Sequence, residues 1–200
     1  MKKRILAFLI SAATVMPLCC IGGGAAGTNK APTVIPAIRE WNGGTGEFKL
    51  SDTVKINVKD ATVSDGKKNI ITESFSSYLG VDVVFAEEGG DIFFVTDKSD
   101  EELGKDGYSM VITENTITVK APEDIGFLYG VYTILQSVKA DGYVPCGKAR
   151  DFSYYQIRGG MLDVGRAWIP LDYVEEITKY YAFFKLNEIH LHINDKGANN

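Results

Sequence analysis

Between residues 158 and 195 the chain gathers most of the side chains able to do chemistry: Arg158, Asp163, Arg166, Trp168, His190, His192 and Asp195. The Arg158 guanidinium carries several N–H donors in a rigid fork that fits two adjacent oxygens and resists deprotonation. Aimed into a folded interior it needs partners, and Asp163 or another nearby acid meets that need. An ion pair and a ligand-holding role are both open. Asp163 and Arg166, three apart, suit either a salt bridge across a loop or a supporting place beside a site. His190 and His192 lie two apart in a strand-like run and therefore share a face. They read as interior hydrogen-bonding residues, or as half of a metal site whose further ligands would be Glu188 and Asp195. Trp168, just before Pro170, offers an indole at a rim, whereas Trp41 reads as packing. Cys146 has no partner after residue 27 and reads as a small core residue.

These residues sit on a strand, helix, strand pattern. Ile157 to Leu162 is a short apolar run, Pro170 to Lys185 places Val174, Ile177, Tyr181 and Phe184 on one face, and Glu188 to Ile193 is a second run. A helix of that length between two buried-looking strands predicts a parallel βαβ unit, the building block of a (β/α)8 barrel or a doubly wound sheet. Upstream, Glu47 to Ser51, Val54 to Val58, Val81 to Phe85 and Asp91 to Val95 read as strands. Gly107 to Thr113 and Thr116 to Ala121 form a hairpin pattern about Glu114-Asn115. One helix is expected from Asp65 to Gly80. A second starts at Pro122-Glu123-Asp124, carries Ile125, Leu128, Tyr132, Leu135 and Val138 on one face, and ends near Gly142. The expectation is an α+β domain over 33–150, an antiparallel sheet with helices on one face, followed over 151–200 by the start of a barrel.

The 200 residues carry a formal net charge of -5. That leaves no basic stripe for nucleic acid or an anionic membrane, and a neutral substrate fits better. Residues 1–27 stand apart from the fold. Met1-Lys2-Lys3-Arg4 is a positive n-region, Ile5 to Leu18 an apolar run too short to span a bilayer comfortably, and Gly22 to Gly27 a tether. This predicts export of a bacterial protein, either released after cleavage near Ala26 or held at the cell surface through a lipid on Cys19 or Cys20.

From Thr33 to about Asn200 the chain resembles glycoside hydrolase family 20, the β-N-acetylhexosaminidases. Thr33-Val34-Ile35-Pro36-Ala37 with Glu40-Trp41 and Gly43-Gly44 is similar to the opening of that family's small domain. Gly107-Tyr108, followed by Gly126, Gly130, Thr133 and Gln136, is similar to its hairpin and helix. Arg158-Gly159, Leu162-Asp163 and Arg166, then Lys185-Leu186-Asn187 and His190-Leu191-His192, look like the first βαβ of its catalytic barrel. The departures are Lys196-Gly197 after Asp195, where a second acid is common, and Ala167 after Arg166.

The resemblance implies that Arg158 holds hydroxyls of a terminal N-acetylhexosamine and that Asp195 lies in the active-site wall. Asp163, Arg166, His192 and Trp168 are then supporting candidates. It implies substrate-assisted retaining hydrolysis, a route in which the 2-acetamido group attacks the anomeric carbon, with no metal or organic cofactor. The Asp-Glu pair such chemistry needs is missing from the barrel segment, where Glu175-Glu176 lies inside the helix. A chain cut off before its catalytic carboxylates, and inactive alone, is expected. A non-catalytic glycan-binding or scaffold lipoprotein using the same small domain is the alternative.

Overall fold

The computed structural model of the chain describes residues 29–194; the export segment, Cys19, Cys20 and Asp195 lie outside the described residues. The first unit comprises β1 (Glu40–Phe48), β2 (Thr53–Asp60), α1 (Asp65–Leu79), β3 (Asp82–Ala86), β4 (Ile92–Thr96), β5 (Tyr108–Ile112), β6 (Ile117–Ala121), α2 (Asp124–Asp141) and β7 (Val144–Asp151). The second is β8 (Gly159–Asp163), α3 (Leu171–Phe183) and β9 (Glu188–His192). Both helices of the first unit end where the sequence places them, on left-handed glycines: Gly80 at φ 68° and Gly142 at φ 81°.

The seven strands of the small domain form one sheet in the order β1-β7-β5-β6-β4-β2-β3. The β5–β6 hairpin forms as its alternation predicts, with Ile112 opposite Ile117. The sheet is mixed, however, and not antiparallel throughout. β1/β7, β5/β7 and β5/β6 are antiparallel, while β2/β3, β2/β4 and β4/β6 are parallel. The reason is topological: α1 bridges β2 to β3, and a helical crossover returns the chain in the same direction. A second difference is β7, which the sequence hides behind Pro145 and Gly147, both poor strand formers. It nevertheless lies between β1 and β5. Gly147 is required there because a Cβ would come within 2.7 Å of the Trp41 ring. Trp41 itself donates from Nε1 to the Asn29 carbonyl at 3.1 Å, the packing role its position suggests.

Both helices cover one face of the sheet, α1 against α2 and α2 against β5, β6 and β7. The sequence predicts one apolar face for α2, but every residue from Gly126 to Ser137 is buried. A helix buried all round is covered on all sides, and here the extra cover comes from the end of α3. Phe183 stacks on Tyr78 with centroids 4.3 Å apart and meets Tyr132 edge-on at 5.6 Å. The glycines of the 126–136 pattern let α2 approach the hairpin. A Cβ at Gly126 would overlap the Gly107 carbonyl and lie 2.7 Å from the Ala121 methyl, and one at Gly130 would lie 2.8 Å from Val119.

The second unit is the expected parallel pair. Gly159 to Asp163 runs in register beside Glu188 to His192, with α3 as the crossover.

Overpacking this contact gives a direct test. Gly126→Ala is expected to lower unfolding stability by about 2 kcal/mol, because neither backbone nor methyl can yield. Gly66→Ala, in the first turn of α1 with nothing within 4 Å of its Cβ, is expected to be neutral or to stabilise by about 0.5–1 kcal/mol. Urea unfolding of the two variants side by side checks the contrast.

Candidate functional site

The two ends of β8 carry different chemistry. Register partners in a parallel pair share a face, so Met161 with His190 and Asp163 with His192 project together. Gly160 lies on the opposite face, against the Tyr181 hydroxyl of α3. At the C-terminal end, Asp163 Oδ1 accepts from the backbone N–H groups of Gly165 and Arg166, both at 3.1 Å, and Oδ2 lies 3.4 Å from Arg166 Nε. Asp163 thus holds the exit loop in shape through its carboxylate, and Arg166 extends outward from that loop. Trp168 follows on the same loop, 85% exposed. His192 is half-buried and His190 exposed. Among the described residues no three His, Cys, Asp or Glu side chains come together as a metal site would require.

At the N-terminal end Arg158 is gripped. Its backbone N–H donates to Asn187 Oδ1 at 2.9 Å. Its Nε donates to the Lys185 carbonyl at 2.9 Å, one terminal nitrogen to the Tyr155 carbonyl at 2.7 Å, and the other to Asp106 Oδ2 at 2.5 Å. The acid paired with Arg158 is therefore Asp106, from the small domain, and not Asp163, which serves its own loop. Arg158 lines a cleft of about 530 Å³ at the junction of the two units, together with Arg39, Asp106, Tyr129, Tyr154 and Tyr155. The Arg39 guanidinium lies against the Tyr154 ring and donates to the Phe152 carbonyl. Burial pushes the Tyr129 phenol above its ordinary range, with Arg158 beside it acting in the opposite sense.

Beneath the cleft lies a buried polar cluster that sequence reasoning passed over. Lys185 Nζ, on the turn after α3, donates to Asp151 Oδ2 and to the Tyr108 hydroxyl, both at 2.8 Å. Tyr108 donates to Asp151 at 3.0 Å and lies 2.6 Å from the Thr133 hydroxyl. Burial pushes the Lys185 ammonium down, with Asp151 opposing, and pushes the Tyr108 phenol well up. Beside it, Gln136 receives a hydrogen bond from Ile35 N–H at 2.7 Å and donates to the Ile35 and Phe183 carbonyls at 3.0 and 2.9 Å. In the sequence Lys185 stood out only as part of Lys185-Leu186-Asn187, and its buried role shows in the structure. It stands at φ 60°, at the position after a helix C-cap, where Leu186 N–H returns to Tyr181 and Lys185 N–H to Ala182. Glycine is the default residue there. Cys146 is buried and unpaired, its thiol pushed up by burial and by Glu114 and Glu47, as befits a core residue.

The chain thus combines a small mixed α/β domain with a parallel βαβ unit that follows it. Residues 31–152 match the model of glycosyl hydrolase family 20, domain 2, and residues 155–198 match the family 20 catalytic domain. The chain belongs to glycosyl hydrolase family 20. It is 32% identical over 114 residues to the β-N-acetylhexosaminidase of Cellulomonas fimi, covering 54% of this chain and 23% of that protein. It is 29% identical over 171 residues to the N,N'-diacetylchitobiase of Vibrio harveyi, covering 82% and 18%. The solved family 20 β-N-acetylhexosaminidase of Streptomyces coelicolor A3(2) superimposes with a TM-score of 0.69 at 25% identity, covering 83% of this chain and 36% of that one. The chain thus spans about a fifth of the length of the curated relatives it matches.

The buried cluster yields two predictions. Lys185→Met leaves Asp151 charged and unpaired in the core, and is expected to cost about 3–5 kcal/mol of stability in urea unfolding. Tyr132, also buried, has its phenol pushed from 10.0 up to about 12. A raised folded pKa means stability is intact below pH 10.0 and is lost as pH rises toward about 12, because the unfolded chain ionises first. Tyr132→Phe is expected to flatten that alkaline limb in melts taken across this range.

Proposed function

We propose that the complete protein is an exported, exo-acting glycoside hydrolase that releases terminal N-acetylhexosamine, or a disaccharide containing it, from glycans by substrate-assisted retaining hydrolysis. The observation that carries this reading is the match of residues 155–198 to the family 20 catalytic domain, within which the loop after β8 presents Arg166 and Trp168.

In this reading the loop at the C-terminal end of β8 carries the sugar site, where the Arg166 guanidinium suits vicinal hydroxyls, with Trp168 on the rim and Asp195 in the wall; Arg158, which the sequence puts forward for that task, is tied at the other end of β8 to Asp106 and to the Tyr155 and Lys185 carbonyls. Asp163 shapes the loop that carries them, and His192 lies on the same strand face as Asp163. The sugar's 2-acetamido oxygen attacks the anomeric carbon as the glycosidic bond breaks, and a glutamic acid protonates the leaving oxygen. The Asp-Glu pair these steps call for is not among residues 151–200. The protein meets its glycan outside the cell, after export directed by residues 1–27 and, in our reading, a lipid on Cys19 or Cys20.

Nitrophenyl N-acetylglucosaminide provides the test. The complete polypeptide is expected to hydrolyse it, with kcat/KM reduced about 10- to 100-fold in Arg166→Ala by loss of charge-assisted hydrogen bonds; residues 1–200 alone are expected to give no turnover. Turnover by the complete polypeptide that is indifferent to Arg166→Ala would overturn the assignment. Labelling cells with an alkyne fatty acid tests the anchor: the label should vanish when Cys19 and Cys20 are both replaced by Ser, and an unlabelled wild-type protein would mean cleavage and release.

A further inference from the structure

The junction cleft is lined by three cations, Arg39, Arg158 and Lys185, and by two carboxylates, Asp106 and Asp151. Both carboxylates are engaged. Asp106 pairs with Arg158 and Asp151 with Lys185, so the charge left over is that of Arg39, the half-buried residue just before β1. Asp151 Oδ1 does accept from the Arg39 backbone N–H at 3.4 Å, but not from its guanidinium. The guanidinium Nε donates to the Phe152 carbonyl, a neutral acceptor. Its Nη1 is buried with no hydrogen-bond partner, the one such side-chain atom among the described residues.

Arg150 sets the contrast. Both guanidiniums lie over the Phe152 ring, Arg39 at 4.7 Å and Arg150 at 4.8 Å from its centroid, yet Arg150 is met by Glu40, Asp100 and Glu102, with the Asp100 contact at 2.6 Å. One stack therefore holds a saturated cation and an unsaturated one. Stacking on Phe152 and Tyr154 offsets part of the cost of placing Arg39 there. An aromatic face is no acceptor for an edge N–H, and a buried donor left unmet loses its hydration without return. A guanidinium held this way presents a planar donor edge that matches a carboxylate. The wall around it is rich in rings, with Phe152, Tyr154 and Tyr155, and the cleft volume of about 530 Å³ is that of a small-molecule site.

We infer that the junction cleft is a carboxylate-binding site centred on Arg39, shaped for a carboxylate carried on a ring-sized body such as an acidic sugar. The carboxylate bonds the Nη1 edge of Arg39, and the body lies against the tyrosines. None of these residues belongs to the loop after β8, so the site stands whether or not that loop holds sugar. Two sources can carry the group: a free acidic sugar, or a side chain of the complete polypeptide.

Melting temperatures separate them, taken on the complete polypeptide and on residues 1–200, each as wild type, R39M and R39K. Sodium glucuronate is the probe, with glucose and sodium chloride at matched concentration as controls. If the carboxylate is free, glucuronate raises the wild-type melting temperature in a saturable way and glucose does not. R39M then weakens the apparent Kd at least about tenfold, and R39K does likewise because an ammonium lacks the planar fork. If the polypeptide supplies the group, glucuronate has no effect on the complete polypeptide, and R39M lowers its melting temperature by about 3 °C or more while leaving that of residues 1–200 unchanged. Should R39M fail to fold, R39K gives both readings. Equal glucuronate stabilisation of wild type and R39M would overturn the inference. So would no glucuronate response together with R39M effects that match in the two forms, which would leave Arg39 as a packing residue between two rings.

Discussion

The architecture depends on one buried cation. Lys185 belongs by sequence to the second unit, yet its ammonium ends in the core of the first, against Asp151 and Tyr108. Taking that pair out of water costs several kcal/mol per ion, offset only by close geometry and by the hydrogen bonds that complete it. Tyr108 and Thr133 supply that completion from β5 and α2. Such a cluster adds little net stability over an apolar one. What it fixes is registry, since the lysine has one place in which its charge is satisfied, and the two units can dock in one way.

Around that point the apolar surfaces follow. α2 carries bulky residues on every side because its outer face receives Phe183 while its inner face lies on the sheet, and Gln136 links it to both the N-terminal segment and the end of α3. The glycines at 126 and 130 bring α2 close to the β5–β6 hairpin, which carries Tyr108 at its start. Residues that resemble a family signature in sequence thus have a shared physical job. They close the distance between sheet, helix and second unit so that the tyrosine, threonine, aspartate and lysine can meet.

Much of this was legible beforehand. The hairpin, the two glycine-ended helices of the small domain and the parallel βαβ follow from period and punctuation, which are local. Strand β7 was not legible, because Pro145 and Gly147 lower its local strand signal and its place in the sheet is decided by Trp41 and β1, a hundred residues away. The parallel half of the sheet was missed although its cause, a helix between two strands, stood in the same reading. Around Arg158, sequence reasoning misplaced the acid that pairs with it. Asp163 is five residues from Arg158 and was the natural choice, but its carboxylate is consumed by the backbone of its own loop. Asp106 is 52 residues away, and no spacing rule reaches it.

The difference between those two aspartates bears on how a barrel site of this kind can be built. Chemistry in parallel barrels collects at the C-terminal ends of the strands, and the loop after β8 fits that rule, with Asp163 shaping a segment that presents Arg166 and Trp168. Arg158 lies at the opposite end of the same strand, where its guanidinium is spent on Asp106 of the small domain and on the Tyr155 and Lys185 carbonyls. A long side chain tied at three points gives up its rotamer freedom to the junction and keeps none for a ligand at the far end of the strand. The two ends of β8 thus divide the work: one fixes the strand against the small domain, already locked in place by Lys185, and the other presents the loop.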